Sequence, residues 1–306
     1  PVAQKISELL NVDVVLLENP AGDGAKGLIS GLKSNQIILL ENLRFHKDET
    51  KNGRDLPASI LEYTDVFIND AFGACHRAHA TVVGLNSGVA EKAAGFLIKK
   101  EVEFLDKVLS DHEAPFVAIL GGAKVSDKIG VIESLIDEVD TFIIGGAMAY
   151  TFLAGQGTPV GKSLVESDKV KFAAELIDRI RARKKKILLP IDHVIVPEFT
   201  AKDQAKVTSG SGVPADWMAV DIGPKTILQY SEEIANAKTV FWNGPMGVFE
   251  TPEFAKGTFA IAHSVANSAS VSIVGGGDSA AAASASGVSD QMTHISTGGG
   301  ASLEYL

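Results

Sequence analysis

Four β-branched runs in the later part of this 306-residue chain end directly in clusters rich in glycine. Residues 116–120 lead into Gly121-Gly122-Ala123-Lys124, and 141–144 into Gly145-Gly146-Ala147-Met148. Residues 238–242 lead into Asn243-Gly244-Pro245-Met246-Gly247, and 271–274 into Gly275-Gly276-Gly277-Asp278-Ser279. Apolar runs without polar alternation suit strands covered on both faces, the condition of a parallel sheet. Further runs at 12–17, 36–40, 65–68 and 186–189 read as strands, and 168–184 sets Val170, Phe172, Ala173, Leu176, Ile177 and Ile180 on one helical stripe. Strands alternating with helices predict an α/β fold of doubly wound parallel sheets. Such sheets bind ligands outside the carboxyl ends of their strands, where the strand order reverses. A glycine there makes a tight turn or lets backbone N–H groups approach an anion. Four such ends in one domain favour a phosphate-bearing ligand.

At roughly 150 residues per domain, the length suggests two domains. Residues 99–110 (KKEVEFLDKVLS) read as a charged amphipathic helix, and Pro115 opens the next strand. The predicted organisation is an N-terminal domain at 1–98, a connecting helix at 99–112 and a C-terminal domain at 113–306. The first part offers three evident strands, few for a self-sufficient sheet, so it is expected to be incomplete. A start at Pro1, with no initiator Met and no signal-peptide plan, fits a partial chain. A net charge of −10 argues against a broad nucleic-acid face, while leaving room for a local basic pocket. No apolar run approaches the roughly 20 residues that span a bilayer. A single cysteine, Cys75, forms no internal disulfide and fits a reducing, cytoplasmic setting.

Lys124 and Lys128 are four residues apart. A helix beginning there sets both ammonium groups on one face beside Gly121-Gly122, suited to a polyphosphate and to charge spread in phosphoryl transfer. The plainer alternative is a solvated lysine face neutralised by Asp127. Asp278 is expected at a helix N-cap, and its carboxylate beside phosphates also suits Mg²⁺. The string from Gly275 to Ala280 fits the dinucleotide pattern G-x-G-x-x-A, but no acidic residue closes a second strand about 20 residues on. Gly157-Thr158-Pro159-Val160-Gly161-Lys162-Ser163 looks like a Walker A loop, yet has too few residues between its glycines and follows no strand. Arg44 and Arg77, each just past a strand, are placed to converge on one anion from adjacent strand ends, or else make unrelated surface ion pairs. His76 and His79 beside Cys75 lack the further ligands of a zinc site, and Cys75 reads as a small packed side chain.

Taken together, ENLRFH (41–46), NDAFGACHRAH (69–79), LGGAKVSDKI (120–129), IIGGAMAYTFL (143–153), DIGPKT (221–226), WNGPMGVFE (242–250), GGGDSA (275–280) and ISTGGGASLE (295–304) resemble the phosphoglycerate kinase family, in order and over nearly the whole chain. The resemblance implies two doubly wound domains joined by a helix, hinge-bending, and direct in-line phosphoryl transfer from 1,3-bisphosphoglycerate to MgADP in glycolysis. It assigns Arg44 and Arg77 to the acid substrate's phosphate, Lys124 to the moving phosphoryl group and Lys128 to the nucleotide phosphates. Gly122, Ala123, Gly145, Gly146, Ala219, Asn243, Gly244 and Pro245 are assigned to the nucleotide walls, and Glu250 to the ribose. Gly276, Gly277, Asp278 and Ser279 match the phosphate-binding helix start, with Asp278 toward Mg²⁺. Gly298, Gly299 and Gly300 match the turn beside the transfer, Gly299 being the residue assigned to catalysis. Ala219 stands where the family often has Gly, and Ser279 replaces a common Thr. A VDFN-like strand, an HLGRP-like loop and a catalytic arginine that open the family pattern lie outside these residues, implying a truncated N-terminal domain. The implied partners are ATP or ADP and the phosphoglycerates, with the protein a monomer that binds neither nucleic acid nor membrane. A nucleotide-binding module without turnover and a nicotinamide-dependent dehydrogenase remain the alternatives.

Overall fold

A computed structural model describes residues 1–306 with the exception of Asp23. Two compact units emerge, Pro1–Lys99 and Lys100–Leu306, with the Phe96–Leu109 helix running through the division.

In the first unit, β1 (Asp13–Leu17) pairs in parallel with β2 (Gln36–Leu40), and β3 (Val66–Asn69) with β4 (Glu91–Ala94). The strands form two separate pairs rather than one sheet. Strand β4 has the sequence EKAA, whose polar start and small side chains give no apolar run to read. A small core of Leu56, Ile60 and Leu85, with Leu40 and Phe67 against it, holds the unit. Much of β3 stays outside that core, Val66 being 56% and Ile68 62% exposed.

The second unit is built on a six-stranded sheet, every pairing of which is parallel. Its strands are β5 (Phe116–Leu120), β6 (Thr141–Ile144), β7 (Lys186–Leu188), β11 (Thr239–Asn243), β12 (Val271–Gly275) and β13 (His294–Ile295), in the order β13-β12-β11-β5-β6-β7. Every residue of β5, β6 and β11 is buried, as unalternated apolar runs require when helices cover both faces. On one face Val117, Ile119, Val240, Trp242 and Val274 pack with Tyr230, Ile234 and Ile261 from flanking helices. The predicted stripe at 168–184 becomes the Val170–Ala182 helix and buries Ala173, Leu176, Ile177 and Ile180. An antiparallel sheet of β8 (His193–Val196), β9 (Lys206–Val207) and β10 (Met218–Ile222), in the order β10-β8-β9, was not evident in the sequence. These strands are short, and β10 carries an irregularity between Ala219 and Asp221 that breaks the alternation. Among the described residues no helix is long and apolar enough to cross a membrane.

Candidate active site

Strands β5 and β11 are neighbours in the sheet although far apart in the chain, and the order runs outward from them in both directions. The turns that follow them open at this reversal point, where ligands of open α/β sheets bind. The glycine turns are first of all knitted to one another. Gly121 N–H donates to Asn243 O at 2.9 Å, Gly122 N–H to Pro245 O at 3.0 Å, and Gly146 N–H to Met246 O at 3.0 Å. Met148 N–H donates to Gly122 O at 3.0 Å. Gly146 sits at φ +66°, and a side chain there would strike the Gly122 backbone and Pro245 O, so only glycine serves. Of the two roles open to such glycines, Gly121, Gly122 and Gly146 take that of the tight turn, because their N–H groups are already spent on backbone carbonyls. Amides without an intrahelical partner occur instead at the start of the Gly277–Ala285 helix, where the helix dipole also favours negative charge.

Two cavities meet at this edge. One, of about 240 Å³, is walled by Ala123, Gly146, Ala147, Tyr150, Ala219, Val220, Pro245, Met246 and Val248, with Glu250 at its polar side. The other, of about 300 Å³, is walled by Lys124, Asp127, Lys128, Asn243, Gly244, Gly276, Gly277, Ser279, Gly299 and Gly300. Gly122, Ala123 and Asp278 line both, so they form one cleft with an apolar half and a charged half, in which Lys124 and Lys128 stand beside Asp127 and Asp278. Of the residues assigned to the nucleotide, Gly145 alone lies outside both. Its N–H donates to Leu120 O at 2.8 Å, and a side chain there would strike Met246.

Lys124 and Lys128 do not share a helix face. The helix begins only at Ile129, and residues 122–128 form an irregular turn. The side chain of Val125 is buried, and Lys128 N–H donates to Val125 O at 2.9 Å, which closes the turn before the helix starts. Lys124 is exposed at the cavity wall. The Lys128 ammonium is partly buried and donates to Asn243 Oδ1. Burial pulls its pKa down, and the nearby carboxylates of Asp127 and Asp278 oppose that.

Asp278 is not an N-cap. Gly276, at φ +97°, caps the helix, and Asp278 falls in its first turn with the side chain exposed at the wall shared by both cavities. Ser279 is fully buried, and its hydroxyl accepts Gly244 N–H at 2.6 Å, so it joins two turns of the cleft. An exposed carboxylate in a cavity that also carries two lysines suits a phosphate-bound Mg²⁺, which takes one or two protein carboxylates together with phosphate oxygens and water.

Behind the turn at residues 298–300, Glu101 is wholly buried on the Phe96–Leu109 helix. Its carboxylate accepts from Thr297 N–H and Thr297 Oγ1, each at 2.7 Å, and lies 2.8 Å from His294 Nε2. Burial alone would raise this carboxyl, but the bonds from His294, Thr297 and Ser296 outweigh it and hold it at about 2. Asp221 shows the opposite balance. Burial pushes it up to about 7, only partly countered by the amides of Gly257 and Ile222. Sequence reading gives neither residue a role, since Glu101 meets its partners at 294–297 and Asp221 one of its two at Gly257.

Arg44 and Arg77 belong to the first unit and are exposed. Asn42 Oδ1 accepts Arg44 N–H at 3.1 Å and shapes the short Leu43–Phe45 turn. Adjacent strand ends are not what carries the two arginines, because β2 and β3 sit in different pairs. Nearby, the buried Glu49 accepts Thr81 N–H at 3.0 Å and Thr81 Oγ1 at 2.7 Å, with His79 Nδ1 at 3.7 Å. Cys75 Sγ donates to Ala71 O at 3.3 Å, and burial raises its pKa, with the Asn69 amide opposing. Among the described residues no three His, Cys, Asp or Glu gather as a metal site. The string at 275–280 does join a strand to a helix, but β13, the next strand, ends in Ile295-Ser296 without a ribose-binding acid.

A parallel sheet with a cleft at its reversal point, apolar in one half and carrying two lysines in the other, defines an open α/β protein of the doubly wound kind. The phosphoglycerate kinase family model matches residues 1–306. Phosphoglycerate kinase of Bdellovibrio bacteriovorus is 57% identical over 306 residues, covering 100% of this chain and 76% of the relative, and that of an Anaeromyxobacter species is 53% identical with 77% of the relative covered. Solved structures agree. Phosphoglycerate kinase from Coxiella burnetii superposes with a TM-score of 0.85 at 38% identity, over 100% of this chain and 76% of that one. The enzyme from Pyrococcus horikoshii gives 0.87 at 33% identity, over 99% and 78%. The chain belongs to the phosphoglycerate kinase family, and is thus of a kinase, phosphoryl-transferring lineage.

Proposed function

We propose that the chain carries the machinery for reversible transfer of a phosphoryl group from 1,3-bisphosphoglycerate to MgADP, giving 3-phosphoglycerate and MgATP in glycolysis. The observation that carries this reading is the junction, at Gly122, Ala123 and Asp278, of an apolar cavity with one that carries Lys124 and Lys128. The apolar half, with Gly146, Ala219 and Pro245, accommodates a purine, and Glu250 the ribose hydroxyls. The charged half takes the phosphates against Lys128, Asn243, Gly244 and the helix start at residues 276–279. Lys124 and the Gly299 turn stand where the phosphoryl group moves, and Arg44 and Arg77 serve the acid substrate. In the step itself, an oxygen of the ADP β-phosphate attacks phosphorus as the bond to the acyl oxygen breaks, and the product leaves as a carboxylate. The protein contributes position and charge stabilisation rather than a covalent intermediate. When Mg²⁺ is bound, Asp278 would hold it, and it supplies neutralising charge to the phosphates. Because the substrates are assigned to different units, turnover calls for a hinge-bending approach of the two. The reading takes the protein as a cytoplasmic monomer, which sedimentation would check.

A second reading, a nucleotide-binding module with little turnover, is favoured by the first unit. Its strands stand as two separate pairs, and the arginines assigned to the acid substrate lie in segments that follow β2 and β3, strands of different pairs. Isothermal titration with MgADP, adenosine and NADH, run beside a coupled turnover assay, tests both. The expected result is MgADP binding without NADH binding. Turnover comparable to the Bdellovibrio relative supports the enzyme, binding alone supports the module, and absence of MgADP binding overturns both.

A further inference from the structure

The string that mimics a Walker A loop is not a phosphate loop, yet it continues into a segment tied to both halves of the cleft. After the Met148–Gly155 helix the chain passes through Gly161-Lys162-Ser163-Leu164-Val165-Glu166. Ser163 Oγ, which is buried, accepts Ala219 N–H at 3.0 Å, and Lys162 N–H donates to Trp217 O at 2.8 Å. These two bonds hold the start of β10, the apolar wall. Glu166 N–H donates to Thr151 Oγ1 at 3.1 Å, which pins the segment's far end to the helix that follows Gly145-Gly146.

The carboxylate of Glu166 reaches the other wall. It accepts Val125 N–H at 2.5 Å, Ser126 N–H at 3.2 Å and Ser126 Oγ at 2.6 Å. Burial alone would raise the Glu166 carboxyl, but these three bonds outweigh it and leave it below its ordinary range. An ionised acceptor makes such bonds stronger than neutral ones. The Val125 amide shares a planar peptide unit with the Lys124 carbonyl, so gripping that N–H fixes the backbone rotation on the carbonyl side of Lys124. Val125 is also anchored from its other side by its buried side chain. Residues 122–128 have no regular secondary structure to hold them, and Glu166 supplies the missing framework.

We propose that Glu166 is a positioning residue for phosphate binding and transfer, holding the 122–128 turn so that the ammonium groups of Lys124 and Lys128 both face the cavity read as the phosphate site. This rests on the reading of the cleft as a nucleotide site. The test uses the whole chain, Glu166→Gln, Glu166→Asp and the milder Ser126→Ala. Amide hydrogen exchange at Val125 and Ser126 is followed by NMR without ligand, and MgADP and adenosine affinities are measured by titration calorimetry. Because the lost bonds are to a charged group, Glu166→Gln should speed exchange at both amides and weaken MgADP about tenfold, leaving adenosine within about twofold. Ser126→Ala should weaken MgADP about twofold to threefold, losing one of the three bonds. Glu166→Asp, which keeps the charge, should recover part of the loss. Equal losses for MgADP and adenosine, or MgADP affinity kept within about twofold in Glu166→Gln, would overturn the proposal. If Glu166→Gln does not fold, Ser126→Ala decides by the same ratio. Wild-type protein that fails to bind MgADP overturns the nucleotide reading instead, and unchanged exchange at Val125 and Ser126 then rejects the clamp separately.

Discussion

Replacing Glu101 with Gln should cost stability in an amount that depends on pH. The carboxylate is wholly buried and held at about 2, against an ordinary 4.5. At roughly 1.4 kcal/mol per pH unit, that gap is worth about 3 kcal/mol at neutral pH. Because the folded value lies below the unfolded one, the contribution is fully present above about 4.5 and fades as pH falls toward 2. Gln keeps an oxygen that can accept from Thr297 but loses the charge, and its amide nitrogen faces His294. Both tryptophans, Trp217 and Trp242, lie in the second unit, so their fluorescence during urea unfolding reports on that unit. Wild type should exceed Glu101→Gln by about 3 kcal/mol at pH 7 and by only about 1 kcal/mol at pH 3. Other carboxylates titrate in both proteins and largely cancel from the difference. A gap that is equal at the two pH values would refute the reasoning, because the loss would then come from packing rather than from a buried charge. The consequence for function is local, since Thr297 leads straight into the Gly298-Gly299-Gly300 turn.

Asp221 should act with the opposite sign. Its folded value of about 7 exceeds the ordinary 3.8, so the native state retains a proton that the unfolded chain gives up, and stability should fall as pH rises between those values. Asp221→Asn should flatten that fall, measured as urea midpoints at pH 5 and pH 8; an unaltered slope would remove Asp221 from the account. In a form of the chain that turns over, Lys124→Ala should lower kcat by about a hundredfold or more while MgADP affinity changes less than about fivefold. Equal losses in both would make Lys124 a ground-state binding group. Asp278→Ala should weaken MgADP about tenfold and leave adenosine unaffected, as expected of a carboxylate that meets the metal rather than the base. Calorimetry showing unchanged MgADP affinity would take it out of the metal role.

Much of the second unit could be read directly. Strands 116–120 and 141–144 appear at the positions their runs dictate, because a strand buried on both faces favours apolar side chains throughout, Thr141 being buried with its hydroxyl donating to Glu233. The first unit was less legible. EKAA becomes β4 only by pairing with β3, and nothing in those four side chains announces it. The turn at 122–128, where the sequence predicts a helix, is irregular for a related reason. Its spacing of lysines allows a helix, while the carboxylate that holds it open lies at Glu166.

The strand-and-glycine pattern determined the α/β class and the strand ends whose turns line the cleft, since these depend on the polarity and size of neighbouring residues in the chain. Tertiary structure alone decided which amides remain available to an anion, since Gly121, Gly122 and Gly146 spend theirs on facing turns. It alone brought Glu101 to Thr297 and Glu166 to Val125. A hydrogen bond depends on where two groups meet in space, and contacts between residues far apart in sequence leave no trace in local spacing.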